Sequence, residues 1–293
     1  MTNLKEIRIR IASVQSTQKI TSAMKLVSAS KLRHAQYAIL NLKPYSCKLN
    51  TILENLSSSA DIACGNPLFA TREPENVALI VITSNKGLCG AFNSNIIKEV
   101  HQVAHEEYAH QLQTGKLKMI CIGRKAVEYL QKNYEIMYAN DSLLDHPNFE
   151  EVSKIASDLL NDFTQKKIDK IAIIYNSFVN AATQKITLED YLPVANVHKE
   201  FSQKTRIANY IFEPSPEIFM NELIPKILKL QLYKALLDSI AAEHGARMTA
   251  MAKATESALE ILKDLKLKYN NARQATITNE LNEIVGGAET LKN

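Results

Sequence analysis

The sequence lacks tryptophan altogether and has only eight glycines and eight prolines among its 293 residues. Long apolar runs are also missing: the longest is Val77 to Ile82, far short of the roughly 20 residues that a membrane-spanning helix needs. The N-terminal residues contain neither an apolar signal core nor a small-residue cleavage site. These absences predict a folded cytoplasmic protein.

Cysteines are few and scattered. The four of them, Cys47, Cys64, Cys89 and Cys121, form no C-x-x-C pair, which argues against a metal site and against a disulfide framework. We therefore expect reduced thiols and no bound metal. Cys89 lies close to Lys86, whose charge could lower the pKa of the thiol, but no Cys/His catalytic pattern supports more than a plain loop cysteine.

Acidic residues are missing from a long stretch near the N-terminus. None lies between Ile7 and Leu53, and residues 1–56 carry nine Lys/Arg against two acidic residues, a local net charge of +7 in a chain whose total is +4. A one-sided run of this length is typical of a surface that meets an acidic partner, which could be nucleic acid, anionic lipid or protein. A solvated helix face is the simpler alternative.

Chain breakers are nearly absent from residues 3–56, which predicts one long helix. Apolar residues recur there at 3,4 spacing, but this seam is polar from Gln18 to Ser28. Within that window the apolar stripe moves sideways, to Ile20, Met24 and Val27. Such a phase shift predicts a stutter that locally changes the supercoil.

A second long helix is predicted near the C-terminus. Ser215 can cap it and Pro216 suits its first turn. The helical pattern continues to about Val285, where Gly286 and Gly287 are expected to stop it. Its distal seam has strict 3,4 spacing, and consists of Met248, Met251, Thr255, Ala258, Leu262, Leu265, Tyr269 and Ala272.

Helices of this length must bury their stripes against each other, because no small globule can cover them. Both lead into one middle domain, so they should run antiparallel, with Pro44 and Pro225 bending them without ending them. The C-terminal helix is longer, and from about Asn270 it should project past its partner. An unpaired helix is marginal in water, so this tip is expected to sit inside another protein.

The middle of the chain alternates between apolar strand patterns and amphipathic helices, which predicts an α/β fold with a mainly parallel sheet and a hairpin at one edge. The strands are predicted at 77–83, 118–123, 134–139, 170–178 and 182–194, and the helices at 94–113, 124–132 and 150–167. We therefore predict a central Rossmann-like α/β domain over 75–208, and a discontinuous antiparallel coiled-coil shaft formed by 1–60 and 210–293.

The polar loop TSNKGLCGAFNSN, residues 83–95, follows a buried strand and precedes a helix, as phosphate-binding loops do. Its spacing matches neither G-x-x-x-x-G-K-[ST] nor G-x-G-x-x-G, so we favour a tight turn. His101 and His105 share a helix face but lack a third ligand. A nucleotide-binding α/β protein with coiled-coil arms stays an alternative, as does a coiled-coil nucleic-acid binder, although the first 56 residues offer few aromatic side chains for base stacking.

Five long motifs carry a family resemblance. They are IASVQSTQKITSAMKLVSASKLRHAQ near the start, SNKGLCGAFN after the first strand, IFEPSP, EHGARMTAMAKATESA, and YNNARQATITNELNEIVGGA at the end. With these motifs in order over its full length, the chain resembles the γ-subunit family of F-type ATP synthases, and bacterial members in particular.

The resemblance implies a rotor shaft with no active site and no cofactor of its own. Its coiled coil would penetrate a ring of α and β subunits, its α/β domain would lie near the ε subunit and the membrane c-ring, and it would sit peripherally at the cytoplasmic face of the bacterial inner membrane, coupling proton-driven rotation to ATP synthesis. The residues that the resemblance implies in partner contacts are Lys19, Met24, Lys25, Lys86, Arg247, Arg273, Gln274, Thr278, Glu280, Tyr210 and Glu213.

Four positions depart from the family pattern. Asn85 and Lys86 stand where Asp-Arg is usual, Gly245 where Ala is usual, and Gly286 where Ser is usual. Lys86 keeps the positive charge without the bidentate fork of arginine. Gly245 is expected to soften the long helix by about 1 kcal/mol relative to Ala.

Overall fold

The computed structural model describes residues 4–57, 67–194 and 216–290. The helices are α1 (Leu4–Ser57), α2 (Phe92–Glu106), α3 (Ala109–Gln113), α4 (Arg124–Leu130), α5 (Ser142–Asp145), α6 (Phe149–Thr164) and α7 (Pro216–Thr290), with a short 3-10 turn at Pro67–Phe69. The strands are β1 (Val77–Ile82), β2 (Leu117–Ile122), β3 (Glu135–Asn140), β4 (Lys170–Phe178) and β5 (Gln184–Leu192). The chain divides into two compact units, Met1–Ser28 with Met248–Asn293, and Ala29–Arg247.

The sheet lies in the second unit and has the order β3-β2-β1-β4-β5. The central strand β1 pairs in parallel with β2 and with β4, and β2 pairs in parallel with β3. Every residue of β1 is buried, as expected for a parallel strand covered on both faces. β5 joins β4 as an antiparallel hairpin at one edge, so the prediction of a mainly parallel sheet with an edge hairpin is confirmed.

Helix α2 covers one face of the sheet because its apolar residues recur on one side. Phe92, Ile96, Val100 and Val103 are buried in the same core cluster as alternate residues of β1 and β2. Ala242 and Ala246 of α7 join this cluster. The long C-terminal helix is therefore part of the core of the α/β unit.

The single helix predicted over 94–113 is wrong in detail, because α2 ends at Glu106 and α3 begins at Ala109. Tyr108 lies between them with a non-helical backbone and a buried ring, over which the ammonium of Lys170 lies at 5.5 Å. Burial of this ring breaks the helix. The short helix α5 was not predicted from the sequence.

The two long helices pack together. Thr21 of α1 bonds Thr255 of α7 through their hydroxyls at 2.8 Å, whereas Lys31, later in α1, lies close enough to act electrostatically on Glu243, earlier in α7. The two contacts occur in opposite order along the helices, so α1 and α7 are antiparallel. The predicted antiparallel coiled coil is confirmed.

Of the prolines and glycines predicted to bend or stop the long helices, only the glycine pair near the C-terminus departs from the prediction. α1 continues through Pro44 and α7 through Pro225, as predicted. The predicted stop at Gly286-Gly287 is wrong, because α7 extends to Thr290. Gly287 does not adopt the left-handed conformation that ends helices, and a glycine in a helix costs only about 1 kcal/mol relative to Ala. The predicted cap Ser215 lies outside the described residues.

The seams of the coiled coil test the predicted stutter. In α7 the predicted seam from Met248 to Ala272 is the buried or half-buried face. In α1 the polar Thr21 and Ser28 are buried, while Ile20 and Val27 are 56% and 58% exposed. The predicted sideways shift of the apolar stripe is therefore wrong at Ile20 and Val27, whereas Met24 is half-buried and Lys25, its neighbour on the 3,4 path, is exposed.

Gly245 has a packing role that its helix propensity does not reveal. A Cβ at this position would lie 3.3 Å from the backbone of Ala181, in the turn between β4 and β5, and 3.4 Å from the ring of Phe178. The glycine lets the hairpin approach α7 closely. The expected softening of the helix is thus accompanied by closer packing between these two elements.

Candidate interaction surfaces

The glycine loop after β1 is held by a network of short polar side chains. The Ser84 hydroxyl donates to the Lys86 carbonyl at 2.7 Å, and the Ser84 amide donates to Asn93 Oδ1 at 3.0 Å. Asn93 Nδ2 reaches the Ser84 hydroxyl and the Cys89 sulfur. Gly90, at φ +61°, supplies a left-handed turn, which glycine adopts without strain.

Arg247 of α7 closes this loop from the other side. Its Nη2 donates to the carbonyl oxygens of Lys86 and Gly87 at 2.9 and 3.3 Å, and its Nη1 lies 2.7 Å from Glu243 Oε1. The loop thus presents carbonyl oxygens to a cation, whereas a phosphate cradle presents amide N–H groups. This polarity argues for a helix anchor and against a nucleotide site.

The anchor is buried, and burial dominates its electrostatics. Burial raises the pKa of the Glu243 carboxyl, while the charge of Arg247 opposes that shift. Burial, together with the charges of Arg247 and Lys31, lowers the pKa of the His244 imidazole to about 4. His244 is therefore neutral near pH 7, and Glu243 and Arg247 form a closed ion pair.

Cys89 does not have the lowered pKa that its neighbour Lys86 suggested. The thiol is buried, and this burial raises its pKa. Since the thiolate is the reactive form, the interpretation as a plain loop cysteine holds.

In the unit formed by Met1–Ser28 and Met248–Asn293, the surface of α1 combines positive charge with exposed apolar groups. Lys19 and Lys25 are exposed and Met24 is half-buried. Large apolar side chains stand in water beside them, at Ile9, Ile20, Leu26 and Val27. Apolar groups placed outside a seam lined by hydroxyls make no contribution to the coiled coil, so this is a candidate partner surface.

The distal part of α7 forms a second surface in the same unit. From Asn270 to Val285 no residue is buried, and Arg273, Gln274, Thr278 and Glu280 are all exposed. An apolar stripe at helical spacing is exposed there as well, consisting of Ile277, Leu281, Ile284 and Val285. The sequence predicted an unpaired tip but not this stripe, which the 4,3,1 spacing of its members could have indicated.

The predicted contact residues differ in their exposure to solvent. Lys86 is exposed, whereas Arg247 is 7% exposed and engaged within its own unit. Tyr210 and Glu213 lie outside the described residues. The Glu243–Arg247 pair was missed, although i,i+4 spacing of opposite charges in EHGAR was the signal for it.

Other candidate chemistry has structural explanations in the described part of the chain. His101 shares a 2.6 Å hydrogen bond with the Tyr134 hydroxyl, and no group of three or more His, Cys, Asp or Glu residues arranged to hold a metal occurs between 4 and 290 outside the two gaps. None of the described helices is long and apolar enough to cross a membrane.

Comparison with known sequences gives consistent results. A family model described as ATP synthase matches residues 3–291. The chain is 50% identical over 291 residues to the ATP synthase gamma chain of Christiangramia forsetii, with 99% of each chain covered. It is 46% identical over 295 residues to the ATP synthase gamma chain of Cytophaga hutchinsonii, with both chains covered completely.

Solved structures resemble it too. A chain in the central stalk and c-ring structure of the Tetrahymena thermophila mitochondrial ATP synthase matches with a TM-score of 0.61 and 27% identity, covering 80% of this chain and 99% of that one. A chain in the OSCP, F1 and c-ring structure of the Euglena gracilis mitochondrial ATP synthase has the same fold, with a TM-score of 0.67 at 19% identity, covering 98% and 94%.

Proposed function

Since the chain belongs to the ATP synthase gamma chain family and is a central stalk subunit, we propose that it is the non-catalytic shaft that turns within a ring of α and β subunits. Its asymmetric surface meets the β subunits differently at each rotational position, so each position stabilises a different β conformation. Coupling of this kind requires differential binding between conformations. Rotation driven by protons then leads to ATP synthesis, and ATP hydrolysis leads to rotation.

One observation carries the proposal: the distal part of α7 exposes an apolar stripe where the coiled coil has ended. Ile277, Leu281 and Ile284 are 48%, 56% and 68% exposed, and a bare amphipathic helix end of this kind is marginal in water. A surrounding protein socket would cover it. Arg273, Gln274, Thr278 and Glu280 are proposed to contact the α/β ring around this stripe.

The basic face of α1 supports the same assembly. Lys19 and Lys25 are exposed, and no acidic residue of α1 lies between Ile7 and Leu53 to neutralise them. We assign these lysines and Met24 to contacts with an acidic segment of the β subunits. Lys86 is assigned as a contact residue of the α/β unit, and Arg247, which is buried, is assigned to the same contact through the Lys86 and Gly87 carbonyls that it holds. Tyr210 and Glu213 are assigned as contacts with the ε subunit and the c-ring.

Through these partners the chain would sit peripherally at the cytoplasmic face of the bacterial inner membrane. The protein needs no cofactor for this role, because its work consists of binding and turning. The α and β subunits would carry the nucleotide chemistry.

The test is reconstitution of the chain with its α and β subunits, followed by measurement of multisite ATP hydrolysis. Omitting the chain should abolish the multisite rate. A triple variant Ile277→Ser, Leu281→Ser, Ile284→Ser should bind the ring on the order of tenfold more weakly or worse, because buried apolar anchors dominate interfaces.

A matched triple variant at polar exposed positions of the same turns, Asn279→Ser, Asn282→Ser and Glu283→Ser, controls for lost helix propensity. It should bind the ring within a few-fold of the unaltered chain. Hydrolysis that is indifferent to the presence of the chain would sink the rotor proposal.

A further inference from the structure

The hairpin formed by β4 and β5 extends beyond the rest of the sheet. β1 pairs with β4 only as far as Ile174, whereas β4 and β5 continue to pair with each other up to Phe178 and Gln184. We call residues 175–187 the outer ribbon. A two-stranded ribbon is marginally stable by itself in water, so the order of the outer ribbon depends on what packs against it.

Helix α7 supports this hairpin along its length. At one end the buried Tyr191 hydroxyl donates to the Leu228 carbonyl at 3.1 Å. At the other end Ala181, in the turn of the outer ribbon, lies so close to Gly245 that a Cβ there would be 3.3 Å from its backbone. A change that weakens the contact between α7 and the hairpin should therefore let the outer ribbon fray.

Two carboxyl groups lie at this contact, one on each side of it. Glu189 of β5 accepts the Tyr175 hydroxyl on Oε1 at 2.7 Å and Gln231 Nε2 of α7 on Oε2 at 3.4 Å. Asp238 is seven positions after Gln231, which is about two helical turns, so it lies on the same face of α7. The charge of Asp238 acts on Tyr175, and the charge of Glu189 acts on Asp238.

Little positive charge compensates the two carboxyls. Among the described residues, the groups that act electrostatically with Asp238 are Glu189 of β5, Tyr175 of β4 and Lys234 of its own helix, and Lys234 is exposed. Burial raises the pKa of Asp238 from 3.8 to about 6; the charge of Lys234 opposes this shift, and that of Glu189 adds to it. The packed contact therefore favours a proton on Asp238.

We propose that Asp238 is a pH-dependent switch of the contact between α7 and the β4–β5 hairpin. While its carboxyl holds a proton, the outer ribbon stays packed on the helix. When that proton passes to water, the new charge is repelled by Glu189 and favours hydration of the contact, so the outer ribbon opens more often. The inference does not depend on the proposed rotor function, because it concerns the attachment of α7 to the sheet within one unit of the chain.

Hydrogen–deuterium exchange of the full-length chain, read by mass spectrometry, tests the switch. Exchange is expressed as a protection factor, the ratio of the intrinsic to the measured rate, which removes the pH dependence of the exchange chemistry. Peptides from the outer ribbon report the local opening. Peptides from β1 report unfolding of the whole sheet.

The expected size of the effect follows from linkage. Asp238 titrates near 6 in the packed contact and near 3.8 once the contact has opened. The protection factor of the outer ribbon should therefore fall about tenfold between pH 5 and pH 7, with half of the increase in opening complete near pH 6. Low concentrations of urea should accelerate exchange in β1 and leave exchange in the outer ribbon unchanged, since a local opening exposes little surface.

Matched variants identify the group that titrates. Asp238→Asn cannot ionise, so the protection factor of its outer ribbon should stay within about twofold over the same range. Asp264→Asn makes the same change at an exposed position of α7 and should keep the full fall. Glu189→Gln should move the midpoint to lower pH and Lys234→Gln to higher pH, because each removes the charge that shifts Asp238.

Several results would overturn the inference. They are an outer ribbon whose protection is constant in the unaltered chain, a fall of the same size in Asp238→Asn, and midpoints that shift in the opposite directions. Urea that accelerates exchange of the outer ribbon and β1 in parallel would show that the ribbon opens only with the whole sheet. If Asp238→Asn does not fold, Asp238→Ser replaces it, and the pH profile of the unaltered chain still decides whether the opening titrates near 6.

Discussion

Glu243 and Arg247 lie one helical turn apart in a part of α7 that is closed to water, with side chains 9% and 8% exposed. We predict that Arg247→Met destabilises the isolated chain by about 3–5 kcal/mol, because it leaves a buried carboxylate without its partner. It also removes the donors that hold the Lys86 and Gly87 carbonyls. The measurement is the shift of the urea unfolding midpoint.

Two controls isolate the pair. The double variant Glu243→Gln, Arg247→Met should recover much of the loss, because the uncompensated charge is gone. Lys86→Ala should stay within about 0.5 kcal/mol of the unaltered chain, since Arg247 contacts only the backbone of that exposed residue. An Arg247→Met chain as stable as the original would contradict the closed ion pair.

His244 makes stability depend on pH. Burial lowers its pKa from 6.5 to about 4, so between these values the unfolded chain binds a proton that the folded chain does not. Stability due to this group is therefore lost as pH falls from 6.5 to 4, by about 3 kcal/mol. We therefore compare the unfolding free energies of His244→Gln and the unaltered chain. We predict that the value for His244→Gln minus that for the unaltered chain becomes more positive by about this amount as pH falls from 6.5 to 4.

Asp238 provides a control of opposite sign. Burial raises its pKa from 3.8 to about 6, so it favours the folded state at low pH and loses that contribution as pH rises through 6. The stability difference between Asp238→Asn and the unaltered chain should become more positive as pH rises. A His244→Gln difference that is constant between pH 4 and 6.5 would show that this imidazole titrates normally.

At the scale of elements, periodicity predicted the seam of α7 well and the seam of α1 less well. The method assumes that apolar residues face the partner helix, which holds from Met248 to Ala272. It fails at Thr21, because the residue opposite is Thr255 and two hydroxyls satisfy each other at 2.8 Å. Which residues of α1 face α7 therefore depends on the side chains that α7 places opposite them. The periodicity of a single helix does not contain that information.

In this part of α1 hydroxyl side chains are buried and large apolar side chains are exposed, which leads to a prediction. Ile20→Ser and Val27→Ser together should leave the unfolding free energy of the isolated chain within about 0.5 kcal/mol per site, because both side chains already stand in water. The same pair should weaken binding to the reconstituted α/β ring, where we propose that these groups are covered. Thermal unfolding and ring-binding assays measure the two effects.

The buried Leu32 is the matched control in α1. Leu32→Ser should cost about 3 kcal/mol, in line with truncation of packed leucines. A comparable loss of stability from the Ile20 and Val27 variant would mean that those residues belong to the packed seam after all.

The sheet was predicted more fully than the helices because each strand is a short apolar run between breakers. The break between α2 and α3 could not be predicted, since it depends on Tyr108 packing under Lys170, 62 positions later in the numbering. The fold class therefore came from local pattern. The exact helix ends came from contacts between residues distant in sequence.

At the scale of the whole molecule, the same limit applies to the candidate sites. The long motifs identified the family, and the unpaired tip of α7 followed from helix lengths. The anchor between Arg247 and the glycine loop joins residues 161 positions apart, so the sequence could name both residues but could not bring them together. For this reason Arg247 was predicted to contact a partner subunit, whereas in the structure its side chain is buried.

Charge is also a property of the whole chain. Residues 1–56 have a net charge of +7 in a chain of +4, so the remaining residues sum to −3. If the acid-free helix meets an acidic surface in the ring, long-range attraction should speed association, and salt should screen it. We predict that the association rate with the α/β ring falls by about tenfold between roughly 0.05 and 0.5 M salt.

Two matched variants locate the source of this attraction. Lys19→Gln with Lys25→Gln removes two charges from the acid-free stretch, and should slow association at low salt and flatten its salt dependence. Lys263→Gln with Lys266→Gln removes two exposed charges from α7, and should change the total charge equally but the rate less. Stopped-flow association at several salt concentrations measures both. Equal slowing by the two variants would mean that net charge, and not the basic face of α1, governs the encounter.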